Sequence, residues 1–165
     1  MHPARLLAAD LLADCDERRT RRSGPGGQHR NKVETAVVLV HRPTGISAEA
    51  SERRSQVENR SVAVRRLRLR LALEHREPTS PEGPSPLWRA RTSSGRIVVA
   101  LDHEDYPALV AEALDALEAA GWQLPAAAMR LAVTPSQLAR LLRREPAAWT
   151  VLARHRVAAG LPPLA

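Results

Sequence analysis

The residues best suited to chemistry lie in a glycine-rich segment, SGPGGQHRNK, which occupies positions 23–32. Gly26 and Gly27 can adopt backbone conformations that are closed to other residues, and they let the backbone approach a ligand closely. Gln28 follows directly, and its neutral amide offers two donors and one acceptor. Such an amide beside a bare backbone can position a water molecule or bind an oxyanion without acting as a base. The alternative interpretation is a glycine-rich surface loop without chemistry.

Positive charge surrounds this segment in the sequence. Four basic residues flank the glycines, namely Arg21, Arg22, Arg30 and Lys32. Lys32 is the only lysine among 25 basic residues, which indicates a specific need for a compact ammonium at this position. Residues 1–77 as a whole carry 16 Lys and Arg against 10 Asp and Glu. This charge predicts a polyanionic partner, nucleic acid ahead of an acidic membrane, with a merely solvated surface as the alternative.

Composition excludes several other classes of protein. No run of 18 or more apolar residues is present, so no membrane-spanning helix is predicted. The first 17 residues contain four acidic side chains, unlike a secretory signal or an organelle transit peptide. Cys15 is the only cysteine, which leaves no internal disulfide and no cysteine metal cluster. We therefore expect a cytoplasmic protein without a metal or cofactor, in which Cys15 is a small core residue.

Residues 77–86, EPTSPEGPSP, divide the chain. Four prolines, two serines and a glycine cannot sustain a helix or a central strand, and they predict a linker. The charge balance changes at the same place, because residues 78–165 carry 9 Lys and Arg against 8 Asp and Glu. The sequence therefore predicts a first domain at 1–76, a linker at 77–86 and a second domain at 87–165.

The first domain is predicted to place the glycine-rich segment between two strands. Hydrophobic periodicity and turn residues predict a helix over 3–12, a polar edge strand over 14–22, and a hairpin with strands over 34–42 and 46–50. Leu7 and Leu11 would share one face of the first helix. Arg42-Pro43-Thr44-Gly45 fits the hairpin turn, with Pro at its second position and Gly at its fourth.

Residues 51–77 favour two different structures. RLRLRL at 66–71 alternates like a strand, whereas Ala63, Leu67 and Leu71 keep the spacing of a helix. The segment contains no Gly or Pro, and its Arg, Leu, Ala and Glu residues favour helices. A helix is therefore predicted here.

The segment SGPGGQHRNKVETAVVLVHRPTGI and the later stretch RRSQVENRSVAVRRL resemble the GGQ domain of class I peptide chain release factors and their codon-independent ribosome-rescue relatives. The resemblance covers residues 14–74, under half of the chain. It implies an α+β fold with a small antiparallel sheet and packing helices. Gly26, Gly27 and Gln28 would form the catalytic tip, which enters the large-subunit peptidyl-transferase centre and directs water onto the ester between peptide and tRNA.

The resemblance also implies roles for the residues around the tip. Asn31 and Lys32 would brace the tip against the following helix turn or against ribosomal RNA, as RNA-binding residues. The side chains that would bind RNA backbone are Arg53, Arg54, Ser55, Gln56, Asn59 and Arg60. A solvated surface role is the alternative for each of these arginines. The implied partners are large-subunit ribosomal RNA and peptidyl-tRNA, with a methyltransferase acting on Gln28 as a further partner. We expect a monomer.

The second domain is predicted to be small and mostly helical. The expected elements are a strand over 96–101 and helices over 106–120, 126–131, 135–144 and 147–159, with the three tryptophans in the core. Residues 124–143, LPAAAMRLAVTPSQLARLLR, follow the helix-turn-helix pattern, with Ala132 where the turn usually has Gly. The second helix carries Arg140, Arg143 and Arg144, which could contact phosphates. A three-helix bundle without a nucleic-acid role is the alternative.

One departure from full-length release factors bears on function. Only 22 residues precede Ser23, so we expect no large codon-reading region before the motif. The hypothesis is a ribosome-dependent peptidyl-tRNA hydrolase that releases or rescues stalled ribosomes without a stop codon. Two alternatives stay open: a nucleic-acid-binding regulator acting through the helix-turn-helix-like segment, and a non-catalytic large-subunit rRNA-binding protein. The intact Gly26, Gly27 and Gln28 favour hydrolysis.

Overall fold

A three-stranded antiparallel sheet forms the N-terminal part of the fold. The computed structural model describes residues 1–20 and 35–164. The strands are β1 (Cys15–Thr20), β2 (Ala36–His41) and β3 (Ser47–Ala50), in the order β1-β2-β3. Alternation along β2 turns Val37 and Leu39 into the core, while Val38 and Val40 face the other side and are half-buried. The predicted α+β class with a small antiparallel sheet is confirmed.

The turn between β2 and β3 has the predicted position. The Gly45 N–H donates to the His41 carbonyl at 2.8 Å, and the His41 N–H donates to the Ile46 carbonyl at 2.8 Å. Gly45 has φ +70°, a left-handed conformation that strongly favours glycine. The His41 ring also lies 2.8 Å from the Thr44 hydroxyl, which ties the turn to the end of β2.

The predicted helix over residues 3–12 is wrong as a single element. A 3₁₀ turn (Pro3–Arg5) is followed by extended backbone, and α1 (Ala8–Ala13) begins only after Leu7. Leu11 is fully buried, but Leu7 is 75% exposed. Leu7 precedes α1 with extended dihedral angles, so it does not share the helical face on which Leu11 lies.

The long helix α2 (Gln56–Glu74) packs on β2 and β3. Its first turn is capped by the Ser55 hydroxyl, which accepts from the Glu58 N–H. Ala63, Leu67 and Leu71 are fully buried on one face, as helical spacing requires. The helix prediction is therefore confirmed over the alternating-strand interpretation.

Helices dominate the rest of the chain. They are α3 (Pro86–Ala90), α4 (Tyr106–Ala119), α5 (Leu124–Arg130), α6 (Pro135–Arg143) and α7 (Pro146–Ala158). Within the described ranges, no helix has the length and apolar character needed to cross a membrane. The strand predicted over 96–101 is shorter than expected, because β5 (Arg96–Ile97) pairs only with β4 (Thr92–Ser93). Val98 is 64% exposed, whereas Ile97 and Val99 are partly buried against the core, so the apolar residues that favoured a longer strand are covered only in part.

The two halves of the chain share one hydrophobic core. α2 packs against α4, and every residue of α4 from Tyr106 to Leu117 is buried. The segment 77–86 is attached to α4 at both ends: the Glu77 N–H donates to Asp115 at 3.1 Å, and the Ser85 N–H donates to Glu112 at 2.7 Å. The predicted domain boundaries stay a prediction, and the structure adds that both predicted domains bury surface against α4.

Candidate functional site

The glycine-rich segment connects two strands that lie side by side. Thr20 pairs with Ala36 at the ends of β1 and β2, so the chain leaves and re-enters the sheet at adjacent positions. The residues between them include the predicted tip and its basic neighbours, which are Arg21, Arg22, Gly26, Gly27, Gln28, Arg30, Asn31 and Lys32. These eight residues lie outside the described part of the chain. The structure describes the paired strand ends before and after them, Thr20 and Ala36, and we call this pair of strand ends the base.

Asn59 fixes that base to α2. Its side chain is fully buried, and its Nδ2 donates to the Thr35 carbonyl at 2.6 Å and to the Arg53 carbonyl at 3.0 Å. Its Oδ1 accepts from the Arg53 N–H at 2.9 Å. Three of the four hydrogen-bonding positions of this amide are therefore used by the backbone of Thr35, just before β2, and of Arg53, just before α2. The interpretation of Asn59 as an RNA contact is corrected to a positioning role, because its amide is turned inward.

An ion pair braces the same end of α2 against β1. The Arg60 Nε donates to Glu17 Oε2 at 2.7 Å, and Arg19 lies 3.8 Å from the other oxygen of the same carboxylate. Arg60 is 45% exposed, so water screens the pair and its contribution to stability is below about 1 kcal/mol. The pair links β1 to α2, and the predicted RNA contact of Arg60 stays a prediction.

Two exposed arginines lie beside the base. Arg53 and Arg54 are exposed, and their guanidinium groups make no hydrogen bond or ion pair to any described residue. The Ser55 hydroxyl is already used as the N-cap of α2. Gln56, the first residue of α2, is half-buried. Of the predicted contacts on this helix start, Arg53 and Arg54 are therefore the ones best placed for phosphates.

α5 and α6 have the geometry predicted for residues 124–143. Ala132 adopts φ +53° in the turn, and the Thr134 hydroxyl caps α6 by accepting from the Gln137 N–H at 3.2 Å. The residues that would form the shared core are buried, namely Leu131, Val133, Leu138 and Leu141. Whether this pair of helices contacts nucleic acid stays a prediction.

The three arginines predicted on the second helix, at and just after the end of α6, make different contacts. The Arg143 guanidinium lies 4.5 Å from the centre of the Trp149 ring, and that of Arg144 lies 5.7 Å from the centre of the Tyr106 ring. Arg140 is exposed and has no partner among the described residues. The structure instead brings Arg140 and Arg144 together with Arg91 and Arg96 around one groove. The sequence pattern did not indicate Arg91 and Arg96, because they lie 49 and 44 positions before Arg140.

Other buried ionisable groups lie far from the base. Burial raises the pKa of Asp115 to about 6, although Arg76 lies 3.3 Å away and the Glu77 N–H donates to it. Burial also lowers the pKa of His2 to about 4, where its ring bonds to the carbonyl of His75. His75 is 16 residues after Asn59, or roughly 24 Å along α2. The contacts of Asp115 join α4 to the end of the N-terminal half, whereas His2 and His75 both lie within that half.

Comparison with known proteins shows which family the matched part of this chain resembles. The sequence pattern of the RF-1 domain matches residues 12–96, just over half of the chain. Peptide chain release factor 1 of Malacoplasma penetrans (strain HF-2) is 39% identical over 87 residues, which are 53% of this chain and 24% of that protein. The mitochondrial peptide chain release factor 1-like protein of Mus musculus is 51% identical over 57 residues, or 34% and 15% of the two chains. Mitochondrial peptide chain release factor 1 of Homo sapiens is 53% identical over 51 residues, or 31% and 12%.

The similarity is confined to one part of each protein. This chain spans less than a quarter of the length of each of these relatives. The matched residues 12–96 include β1, β2, β3 and α2, together with the glycine-rich segment between β1 and β2. Helices α4 to α7 follow after the match ends. The chain belongs to the RF-1 domain family, and these peptide chain release factors are its relatives.

Proposed function

We propose that this chain is a release-factor-type peptidyl-tRNA hydrolase that acts on the ribosome without requiring a stop codon. One observation carries the proposal. The SGPGGQHRNK segment stands on a paired strand end, Thr20 opposite Ala36, which Asn59 anchors to the start of α2. A reactive loop on such a base keeps its orientation when it enters a large binding site, because strands and helices hold a site more rigidly than loops do.

The chemistry follows from the residue types at the tip. Hydrolysis of the ester between peptide and tRNA develops negative charge on the carbonyl oxygen. A preorganised N–H aimed at that oxygen is worth about 3–4 kcal/mol, and the backbone N–H of Gln28 can supply it. Gly26 and Gly27 let the backbone approach the ester without side chains in the way. The Gln28 side chain then admits water as the nucleophile and excludes larger ones.

The base provides the complementary charge for ribosomal RNA. Arg53 and Arg54 stand unpaired among the described residues, next to the strand end from which the tip segment departs. Arg21, Arg22, Arg30 and Lys32 would add charge on the segment itself. Phosphate contacts of this kind set orientation rather than sequence preference, which suits a factor that docks on one fixed RNA surface.

Codon independence is the finer part of this proposal. The described residues suited to RNA, Arg53 and Arg54, would contact phosphates, and such contacts carry no sequence information. On this proposal we expect equal release from stalled complexes with a stop codon or a sense codon in the decoding site. A strong preference for a stop codon would refute codon independence. Parallel assays on whole ribosomes and isolated large subunits identify the substrate particle.

The hydrolytic role is tested at the tip. Gly27→Ala should block close approach, and Gln28→Pro should remove the donor N–H, so each is expected to lower the release rate about 100-fold or more. Gly24→Ala, a matched control outside the triplet, should lower it much less. Ribosome affinity and the thermal unfolding midpoint should stay close to wild type in all three. A Gly27→Ala protein that releases peptide at the wild-type rate would show that the triplet is not catalytic.

A further inference from the structure

A groove lined by arginines lies between the β4–β5 hairpin, the following residues 98–100 and α6. Its volume is about 790 Å³. We propose that this arginine groove, formed around Arg91, Arg96, Arg140 and Arg144, binds the phosphodiester backbone of an RNA strand. The choice of RNA rests on the proposed function, whereas the groove itself is outside the matched sequence on its α6 side.

The charge of the groove is its first argument. Four arginines line it, and no Asp or Glu is among the lining residues. Arg96 and Arg140 are exposed and make no hydrogen bond or ion pair to any part of the chain that the structure describes. Arg91 is different, because Asp105 holds it at 2.7 Å. The groove therefore concentrates uncompensated positive charge, which draws a polyanion.

The second argument is that one cation is already oriented. The Arg144 guanidinium donates to the Val99 carbonyl at 2.6 Å and lies over the Tyr106 ring. These contacts hold its planar fork in place while leaving further N–H groups for a phosphate. Because the side chain is ordered before binding, less conformational entropy is lost when the ligand arrives.

The third argument concerns the uncharged lining. Ser93, Ser94 and Gln137 add hydroxyl and amide groups, which can bond to phosphate and ribose oxygens. Val98 lies beside them and is 64% exposed, which offers an apolar surface to a sugar or a base. Inorganic phosphate has no sugar or base, so it would leave the apolar surface of Val98 without a partner. The mixture favours a nucleotide strand over a free anion.

The groove also gives α4 to α7 a place in the proposed function. Three accessible cations, Arg96, Arg140 and Arg144, predict a salt slope of about −2 for single-stranded RNA, at roughly 0.7 per phosphate contact. Alone this is weak binding. Joined to a domain that docks on ribosomal RNA, the same contacts gain from effective concentration.

The test uses the full chain and measures binding to a mixed-sequence single-stranded oligoribonucleotide and to large subunits over a range of salt concentrations. The double variant Arg96→Ala/Arg140→Ala should reduce the RNA salt slope by about 1.4 and the affinity about 25-fold at 0.1 M salt. Arg96→Lys/Arg140→Lys should retain the slope, because it keeps both charges. Arg154→Ala, an exposed arginine on α7, is the matched control and should leave both quantities unchanged. Since Arg96 and Arg140 have no partners in the described chain, the thermal midpoint should not move.

Several results would overturn the proposal. Unchanged RNA affinity in the Arg96→Ala/Arg140→Ala variant would exclude the groove as the site. Equal or tighter binding of duplex DNA, of an acidic peptide or of inorganic phosphate, lost in the same variant, would assign it to another ligand. Gln28→Pro separates this proposal from hydrolysis, because it should lose release while keeping the wild-type salt slope. If Gln28→Pro released peptide at the wild-type rate, the hydrolysis proposal would be refuted and the groove proposal would stand. If the double variant kept the wild-type salt slope, the groove proposal would be refuted and the hydrolysis proposal would stand.

Discussion

Replacing Asn59 by Ala should destabilise the fold and slow peptide release, although Asn59 is not expected to touch the substrate. The substitution removes three hydrogen bonds, with donor–acceptor distances of 2.6, 2.9 and 3.0 Å. Each is worth about 1 kcal/mol in net stability. Water can reach part of the freed backbone at Thr35 and Arg53, which are not fully buried, so the expected loss is about 2–3 kcal/mol.

The loss should also reach the tip segment, because Asn59 holds the carbonyl of Thr35 immediately before β2. A displacement of about 1 Å at a reacting centre can cost roughly 100-fold in rate. We therefore expect release to fall between about 10- and 100-fold at saturating enzyme, under conditions in which the protein is still folded. Urea unfolding gives the stability change, and single-turnover release from stalled complexes gives the rate.

Two variants provide the comparison. Arg60→Ala, one residue further along α2, removes only a half-exposed ion pair and should cost less than about 1 kcal/mol. Asn59→Asp keeps the acceptor but places a carboxylate oxygen against two carbonyl groups, so it should be at least as destabilising as Asn59→Ala. If Asn59→Ala changed the unfolding free energy by less than about 0.5 kcal/mol, the argument that this amide anchors the base would be refuted.

Three further outcomes are expected. Leu67→Ala, in the fully buried face of α2, should lower the unfolding free energy by about 2–5 kcal/mol. All three tryptophans follow residue 87, yet their fluorescence should report this loss because the two halves share one core. An unshifted fluorescence transition would mean that the halves unfold separately. Burial lowers the pKa of His2 to about 4, so its contribution to the unfolding free energy is lost as pH falls below 6.5. Burial raises the pKa of Asp115 to about 6, so its contribution is lost as pH rises from 4 to 6. The two effects oppose each other in the wild type, so Asp115→Asn should make stability rise with pH between 4 and 6.5; a flat urea-unfolding profile would contradict this. Gly45→Ala meets no atom within 4 Å, so only its left-handed backbone is strained, and a loss of about 1–2 kcal/mol in unfolding free energy is expected; a neutral effect would contradict that view.

Local patterns were sufficient to predict much of the fold. The Arg42-Pro43-Thr44-Gly45 turn and the α2 helix both formed where short-range chemistry favours them. Ala132 adopts the left-handed turn conformation that the helix-turn-helix pattern calls for. In each case the deciding interactions join residues that are at most a few positions apart, so the sequence contains them directly. The proposed catalytic triplet was likewise recognisable from adjacent residue types alone.

Long-range packing decided what those patterns left undetermined. Asn59 was predicted to face RNA, and it is turned inward because the backbone at Thr35 and Arg53 surrounds it. Leu7 was predicted to share a helical face with Leu11, but it lies outside a helix that begins one residue later. No spacing in the sequence marks such outcomes, since they depend on which element covers a residue.

The sequence by itself determined the family to which the chain belongs and several local elements, and it predicted the chemistry of the glycine-rich segment. Only the tertiary structure decided that α4 is buried on all sides, and that Arg96 of β5 lies beside Arg140 of α6. The physical reason is that burial and charge clustering are properties of surfaces brought together by packing. Side chains 44 positions apart, such as these two arginines, share a groove because the β4–β5 hairpin packs against α6.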